Sequence, residues 1–289
     1  MIYLNKHEVK YITFPNNERR LDLNKELLAT DNNVLWKYEN DSSIFELFLF
    51  DNAMKSIGAT YTLTVGYMPY SRMDRIQNHG TAFSLDVLTR LMSQLQSVND
   101  IKILDPHSPV TLEKFKEYGI SAKEFEFSMA NDVLQYTKLD SNNAWFVFPD
   151  KGAANRYDCN SYPNSIICEK VRNFQTGKIE SIKAHIYKQT TTPTEDAPLI
   201  IIDDLCSYGG TFVGAVAAVK NDLNIDTPNR WLIITHAEEA IDFGQVPTTF
   251  SKIFTTDSIT KPKGYIDMSE KQYNENNKVF VRPVLTISQ

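Results

Sequence analysis

The chain has 289 residues, 42% hydrophobic and 23% charged, with a net charge of −6; this length can bury a core without disulfide or metal staples and suggests two domains. Disordered, collagenous and low-complexity classes are excluded, and the acidic balance argues against a nucleic-acid scaffold or a polybasic membrane binder, leaving room for a local basic pocket. No apolar run approaches the roughly 18 residues of a membrane span, the start MIYLNKHEVK lacks the apolar stretch of a signal peptide, and three cysteines (Cys159, Cys168, Cys206) without CxxC spacing fit a reducing cytoplasm.

In chain order, Asn33–Tyr38 (NVLWKY) reads as a strand and Ser42–Ile57 as a helix entered from Asp41 or Ser42. Ile44, Phe45, Leu47, Phe48 and Phe50 predict a wide buried stripe on that helix. Tyr61–Val65 is a strand, Arg72–Gly80 a polar segment, and Ala82–Leu95 a helix. Ile101–Leu104 is a buried strand and Pro109–Tyr118 contains a helix. The pattern then restarts: strand Ala144–Phe148 ends in Pro149-Asp150-Lys151-Gly152, strand Ser165–Cys168 follows, and residues 169–180 read as an exposed polar loop. Leu199–Ile202 (LIII) is apolar without alternation, as in a central strand covered on both faces. Thr211–Leu223 is a helix and Trp231–Thr235 a strand. Strands alternating with helices predict an α/β protein with mainly parallel sheets. A boundary near 140 separates expected domains at 1–140 and 141–275, followed by a tail at 276–289 that could pack back on the first domain.

The most informative stretch is Leu199–Thr211, LIIIDDLCSYGGT. An apolar strand ends in two acids, and a glycine-containing loop opens a helix. Ligands of open α/β sheets bind beyond the carboxyl ends of the strands, and free N–H groups at a helix start suit a phosphate. Asp203 and Asp204 can accept hydrogen bonds from vicinal sugar hydroxyls, while Gly209 and Gly210 allow close backbone approach and Thr211 can donate a hydroxyl. Acids and glycines occur at many strand-to-helix turns, so the strand before and the helix after carry this reading.

This segment resembles the phosphoribosyl-diphosphate loop shared by phosphoribosyltransferases and ribose-phosphate diphosphokinases. Four further segments favour the diphosphokinases. Tyr67–Arg75 (YMPYSRMDR) is similar to the family's aromatic-Pro-Tyr-x-Arg-x-Asp signature, and Asp105-Pro106-His107 to its Asp-x-His. Phe146–Gly152 and Ile167–Arg172 resemble its Pro-Asp-x-Gly turn and the strand carrying Lys-x-Arg, and Phe14–Glu18 resembles its adenine-site segment. The resemblance implies two phosphoribosyltransferase-like domains, each a mainly parallel sheet flanked by helices. It implies transfer of the β,γ-diphosphoryl group of Mg-ATP to the anomeric hydroxyl of ribose 5-phosphate, with AMP leaving.

On that basis Lys170 and Arg172, two apart on a flexible loop, together with His107, would be catalytic, the two cations stabilising transition-state charge. Phe14, Asn16, Glu18, Arg72, Asp74 and His107 would bind ATP, with Arg72 as a phosphate clamp. Asp150, Asp203, Asp204, Ser207, Tyr208, Gly209, Gly210 and Thr211 would bind the ribose phosphate. Asp105, His107 and Asp150 would serve Mg2+, His107 either as a ligand or by hydrogen-bonding a phosphate. His236 is read as a structural histidine. The expected partners are ATP, a ribose-phosphate substrate and a second copy of the chain, as a homodimer or larger; no nucleic acid or membrane is expected.

The sequence also departs from the family pattern. A first strand–helix unit before Tyr11 is missing, Gly80-Thr81-Ala82 replaces an Arg-x-Pro element, and Met73 replaces a glutamine, which puts the usual allosteric control and hexamer contacts in question. In the phosphate loop Ser207-Tyr208-Gly209-Gly210-Thr211 stands where the family has Asp-Thr-x-Gly-Thr. A bulky aromatic near a terminal monoester, which wants a tight donor nest, opens a second expectation: ADP-ribose as acceptor, giving a product for NAD salvage. Tyr208 turned to solvent after plain drift is the alternative. A catalytically silent regulatory homologue and an ATP-independent phosphoribosyltransferase are the competing classes.

Overall fold

The computed structural model describes residues 1–172 and 179–288, with backbone alone at 171, 172, 179, 180 and 240. The chain divides into two compact units, 1–127 with 284–289, and 128–283.

The first unit begins with β1 (Ile2–Leu4), β2 (His7–Glu8) and a small hairpin of β3 (Ile12–Thr13) and β4 (Arg19–Arg20). Strand β5 (Asn32–Trp36), helix α1 (Ser42–Ser56), β6 (Tyr61–Val65), α2 (Ser84–Met92), β7 (Val98–Ile103), α3 (Val110–Glu117) and β8 (Ala122–Glu124) follow. The sheet order is β2-β1-β5-β6-β7-β8. Strands β5 to β8 are parallel, and β1 adds antiparallel to β5. Leu47, Phe50 and Met54 of α1 are fully buried in one core with Tyr61, Leu63, Ile101 and Phe115. Buried Asp51 locks the helix to the sheet by accepting from the Gln96 and Ser97 N–H groups at 2.8 and 2.9 Å and from the Tyr61 hydroxyl at 3.0 Å. The stripe on α1 is narrower than its sequence predicts. Phe45 is 63% exposed, whereas Glu46 is buried because it pairs with Arg19 of β4. Asp41 does not cap α1 with its side chain; it accepts the Tyr38 and Tyr70 hydroxyls instead.

The second unit contains α4 (Met129–Thr137), β9 (Trp145–Phe148), α5 (Lys151–Arg156), β10 (Asn164–Arg172), β11 (Ile179–Gln189) and β12 (Leu199–Cys206). It continues through α6 (Gly210–Leu223), β13 (Arg230–Ala237), α7 (Val246–Thr249), β14 (Lys252–Thr256), β15 (Ile266–Asp267) and β16 (Val279–Arg282). A last short helix, α8 (Val284–Ile287), belongs to the first unit, where Val284 is buried with Leu35 and Leu104. The sheet order is β11-β10-β9-β12-β13-β14-β16-β15, parallel except for the β10–β11 pair. Both faces of β9, β12 and β13 are covered, and their residues are buried almost throughout, which is why they read as continuous apolar runs.

Two differences from the sequence expectation matter. The units divide at 127/128 rather than at 140, because Ser128 caps α4 through the Asn131 N–H and Asp132 of that helix pairs with Arg282 of β16 at 2.9 Å. Of the expected loop at 169–180, residues 169–172 and 179–180 are strand: β10 runs to Arg172 and pairs antiparallel with β11, Lys170 opposite Ile182, while 173–178 lie outside the described residues. The alternation Ile182, Ala184, Ile186 between polar residues is the period-2 signal of that arm.

Phe254 and Phe280, both fully buried, stack with ring centroids 4.8 Å apart, joining β14 to β16. Phe254→Ala is expected to lower the unfolding free energy of the second unit by about 3–5 kcal/mol. Urea denaturation checks this; a change below about 1 kcal/mol contradicts it.

Candidate functional site

In the second unit the sequence-predicted residues lie in the carboxyl-terminal parts of β10 and β12 and in the turns after β9 and β12; these strands run parallel side by side in the order β10-β9-β12. Asp150 follows β9 and caps α5: its Oδ1 accepts the Ala153 N–H at 3.0 Å. Its Oδ2 lies 3.2 Å from Lys170 Nζ, so the basic arm and the turn after β9 form one charged pair. Burial pushes the Asp150 carboxyl up, but the Ala153 N–H, the Lys170 ammonium and the Gly152 N–H together hold it below the usual value. Arg172 takes part in the β10 backbone; its side chain lies outside the described residues.

Asp203 and Asp204 end the apolar part of β12, 18% and 7% exposed at their side chains. Arg156, the last residue of α5, brings Nη1 to 2.6 Å from Asp204 Oδ1 and 3.7 Å from Asp203 Oδ1. Its guanidinium also lies over the Tyr157 ring, 5.8 Å from the centroid. Arg156 is absent from the sequence reading. Its signal was position: six residues after Asp150, it ends the helix that starts from that acid. Asp203 is held well above the ordinary carboxylate range. Burial is the main cause, followed by the charge of Asp204 and the hydrogen bond with it; the Asp204 N–H at 2.9 Å and Arg156 offset this in part.

Beyond the acids, Cys206 is buried and burial pushes its thiol up to about 12, so it stays protonated. Ser207 is half-buried, and its hydroxyl donates to Glu238 Oε2 at 2.6 Å. Glu238, just past β13, is a second residue missed from sequence; its own N–H donates to the Cys206 carbonyl at 3.0 Å. Tyr208 is 85% exposed. Gly209 has φ +72°, and a Cβ there would lie 2.1 Å from Val246 Cγ2, so both its backbone and its packing require glycine. Gly210 opens α6, with Thr211 half-buried behind it. His236 is buried at 2% exposure with Nδ1 2.7 Å from the Ser258 hydroxyl, as a structural histidine would be.

In the first unit, Arg72 and Asp74 follow β6, and Asp105 and His107 follow β7, its parallel neighbour. Arg72 is exposed, Asp74 and His107 are half-buried, and Asp105 is buried. Asp105 adopts φ +41°, one of eight non-glycine residues with positive φ among those described. Phe14, Asn16 and Glu18 sit apart from these, at the exposed tip of the β3–β4 hairpin. The Phe14 N–H donates to Glu18 O at 2.8 Å and Asn16 Oδ1 accepts the Glu18 N–H at 3.2 Å, which fixes the three on one turn. The hairpin is tied to α1 by the Arg19–Glu46 pair and by the Tyr11 hydroxyl on Glu46 O at 3.0 Å. Among the described residues no group of three His, Cys, Asp or Glu side chains is arranged to hold a metal ion, and no helix is long and apolar enough to cross a membrane.

Two mainly parallel sheets flanked by helices, the second carrying an acid pair and a glycine loop, define an α/β protein of two compact units. No family model matches the chain. It is 29% identical over 184 residues to the ribose-phosphate pyrophosphokinase of Saccharolobus solfataricus, a match spanning 62% of this chain and 59% of that protein. It is 24% identical over 266 residues to the one from Pyrococcus abyssi, covering 86% of this chain and 87% of that one. A crystal structure of phosphoribosylpyrophosphate synthetase from Mycobacterium smegmatis shares the fold, with TM-score 0.68, 16% identity, and coverage of 97% of this chain and 87% of that chain. In sequence the chain is thus similar to ribose-phosphate pyrophosphokinases, and it shares the fold of a phosphoribosylpyrophosphate synthetase.

The raised Asp203 pKa makes a stability prediction. An unfolded aspartate titrates near about 3.9. The folded carboxyl binds its proton more tightly, so stability falls as pH rises from that value through the folded one. Asp203→Asn is therefore expected to raise the thermal midpoint at pH 7, the gain shrinking as the pH is lowered toward 4. A lower midpoint at pH 7 in thermal scans of the variant contradicts the assignment.

Proposed function

We propose that this chain is an ATP-dependent diphosphokinase that acts on the anomeric hydroxyl of a ribose 5-phosphate moiety. The acceptor oxygen attacks the β-phosphorus of ATP, the bond from that phosphorus to the α–β bridging oxygen breaks, and AMP leaves with the electron pair. The observation that carries this reading is the Asp203–Asp204 pair with its Arg156 partner, directly before a loop whose Gly209 turns the chain into α6. Two carboxylates side by side, one with its proton affinity raised by burial and by the charge of the other, suit the vicinal hydroxyls of a pentose. The N–H groups opening α6 and the Thr211 hydroxyl suit its phosphate.

Lys170 rests on Asp150 at 3.2 Å and can exchange that carboxylate for a phosphate oxygen. Phosphoryl transfer needs positioning and charge neutralisation more than covalent chemistry, and an ammonium on a strand supplies both. In the first unit, Arg72 and His107 offer donors to a triphosphate, and the Phe14 face with Asn16 and Glu18 offers a stacking surface and polar groups to a purine. Mg2+ fits the residues present: it takes one or two carboxylates and completes its shell with water and phosphate oxygens, and Asp150 is ionised with 41% of its side chain exposed. When bound, Mg2+ supplies charge neutralisation on the phosphates; Asp105 and His107 would help hold the metal–triphosphate, and Asp150 would hold the metal of the second substrate.

Incubation with Mg-ATP is expected to release AMP only when a ribose-phosphate acceptor is present. A silent homologue releases none, and a phosphoribosyltransferase proceeds without ATP. Lys170→Ala is expected to lower kcat by about 10²–10³-fold with the thermal midpoint little changed. Near-normal turnover in that variant removes Lys170 from the reaction.

A second reading of the acceptor rests on the departure Ser207-Tyr208 from the pattern of the phosphate loop; the 85% exposure of Tyr208 is equally what plain drift gives, and the comparison of acceptors separates the two. ADP-ribose carries less charge on its 5-phosphate than a terminal monoester and continues outward past the loop. An exposed ring there offers it a stacking face, and the product would be ADP-ribose 1-diphosphate, suited to nicotinamide attachment in NAD salvage. Tyr208→Thr is then expected to raise KM for ADP-ribose several-fold relative to ribose 5-phosphate, measured by AMP release. An unchanged ratio between the two acceptors removes this reading.

A further inference from the structure

We infer that Glu238 is a positioning residue for the phosphate loop, and that it turns Ser207 from a hydrogen-bond donor into an acceptor facing the ligand. The inference rests on the reading of residues 203–211 as a ribose-phosphate site. Ser207 has one proton to give, and it is given to Glu238 Oε2 at 2.6 Å, the short distance of a hydroxyl donating to a carboxylate. What remains on Ser207 Oγ is lone pairs. An oxygen in that state accepts from a sugar hydroxyl or a bound water and cannot donate to a phosphate oxygen.

The same residue holds the loop by its backbone, its N–H donating to the Cys206 carbonyl at 3.0 Å. Residues just beyond it close the other end. Val246, at the start of α7, leaves only the space of a hydrogen at Gly209, whose φ of +72° turns the chain into α6. The loop from Cys206 to Gly209 is therefore clamped at both ends by one segment, Glu238 to Val246, that follows β13. Tyr208, between the two clamped points, is 85% exposed. Such a clamp allows a loop to present fixed backbone N–H groups before any ligand arrives, which lowers the ordering cost of binding.

The test compares the full-length protein with Glu238→Ala, Ser207→Ala and the double variant Ser207→Asp/Glu238→Ala. Ribose 5-phosphate and ADP-ribose binding are measured by calorimetry, with ATP binding and the thermal midpoint alongside. An aspartate at 207 offers acceptor oxygens without a helper, so it makes Glu238 dispensable. Glu238→Ala is expected to weaken acceptor binding about tenfold or more while ATP binding holds, and the double variant to restore it to within a few-fold. Unchanged acceptor binding in Glu238→Ala overturns the inference. So does a loss that follows the thermal midpoint and is not restored by Ser207→Asp, because that is a folding effect. If neither acceptor binds the unaltered protein, the site reading and the inference fall together. If an acceptor binds but no AMP is released, the activity reading fails while the comparison of affinities still decides the role of Glu238.

Discussion

Two adjacent carboxylates at the end of a buried strand are the constraint around which the second unit is organised. Asp203 and Asp204 point to opposite faces of β12 in principle, yet both come within reach of one guanidinium, at 3.7 and 2.6 Å. Without a cation, a pair of buried acids this close cannot both ionise. The fold resolves the conflict in two ways. Arg156 is delivered by α5, whose start is set by Asp150, and the remaining excess is taken up by the raised proton affinity of Asp203. Lys170 with Asp150, and Arg156 with the acid pair, thus make a chain of two ion-paired groups carried by the neighbouring parallel strands β10, β9 and β12 and by α5.

That chain costs stability where it stands, and the cost is met by the apolar body beneath it. β12 carries Leu199, Ile200, Ile201 and Ile202, all nearly inaccessible, before its first acid. α6 covers Leu199 and Ile201 with Phe212, Ala215 and Val219, while Ile200 and Ile202 are buried on the other face. At roughly 1.5–3 kcal/mol for each large apolar side chain buried, a handful of such residues outweighs one strained carboxyl. The same division holds in the first unit. The αL conformation of Asp105 and the polar segment with Arg72 sit past the ends of β6 and β7, while Leu63, Val65, Ile101 and Ile103 on those strands are buried.

How much of this was legible beforehand follows from the length scale of each feature. Central strands such as LIII and WLIIT were readable because burial on both faces leaves an uninterrupted apolar run, a local property. The acid pair and glycine loop were readable because they are contiguous. The β10–β11 arm was not, since edge strands with one wet face mix charge and apolar residues and residues 169–180 read as polar. β14, β15 and β16 are short and lean on neighbours for their identity. Arg156 and Glu238 could not be found by any local rule: one acts on carboxylates 47 and 48 positions away, and the other on a hydroxyl 31 residues distant. Phe45 shows the opposite error. A periodic stripe assigned it to the core, but a tertiary ion pair drew Glu46 inward in its place and left Phe45 exposed.

The location of strain bears on whether the departures from the family pattern mark a loss of activity. The φ of +41° at Asp105 is shared in sign by seven other non-glycine residues among those described, helix-end Lys138 and Asn224 included, so it is no mark of function by itself. A carboxyl held well above its normal proton affinity and an ammonium paired to a half-exposed acid are features that folding alone does not call for. Both lie toward the carboxyl ends of parallel strands, where α/β proteins bind ligands. Under the proposed diphosphoryl transfer, the Lys170–Asp150 pair bears more weight than the loop sequence, because an ammonium on a half-exposed carboxylate is a contact open to exchange for a phosphate oxygen.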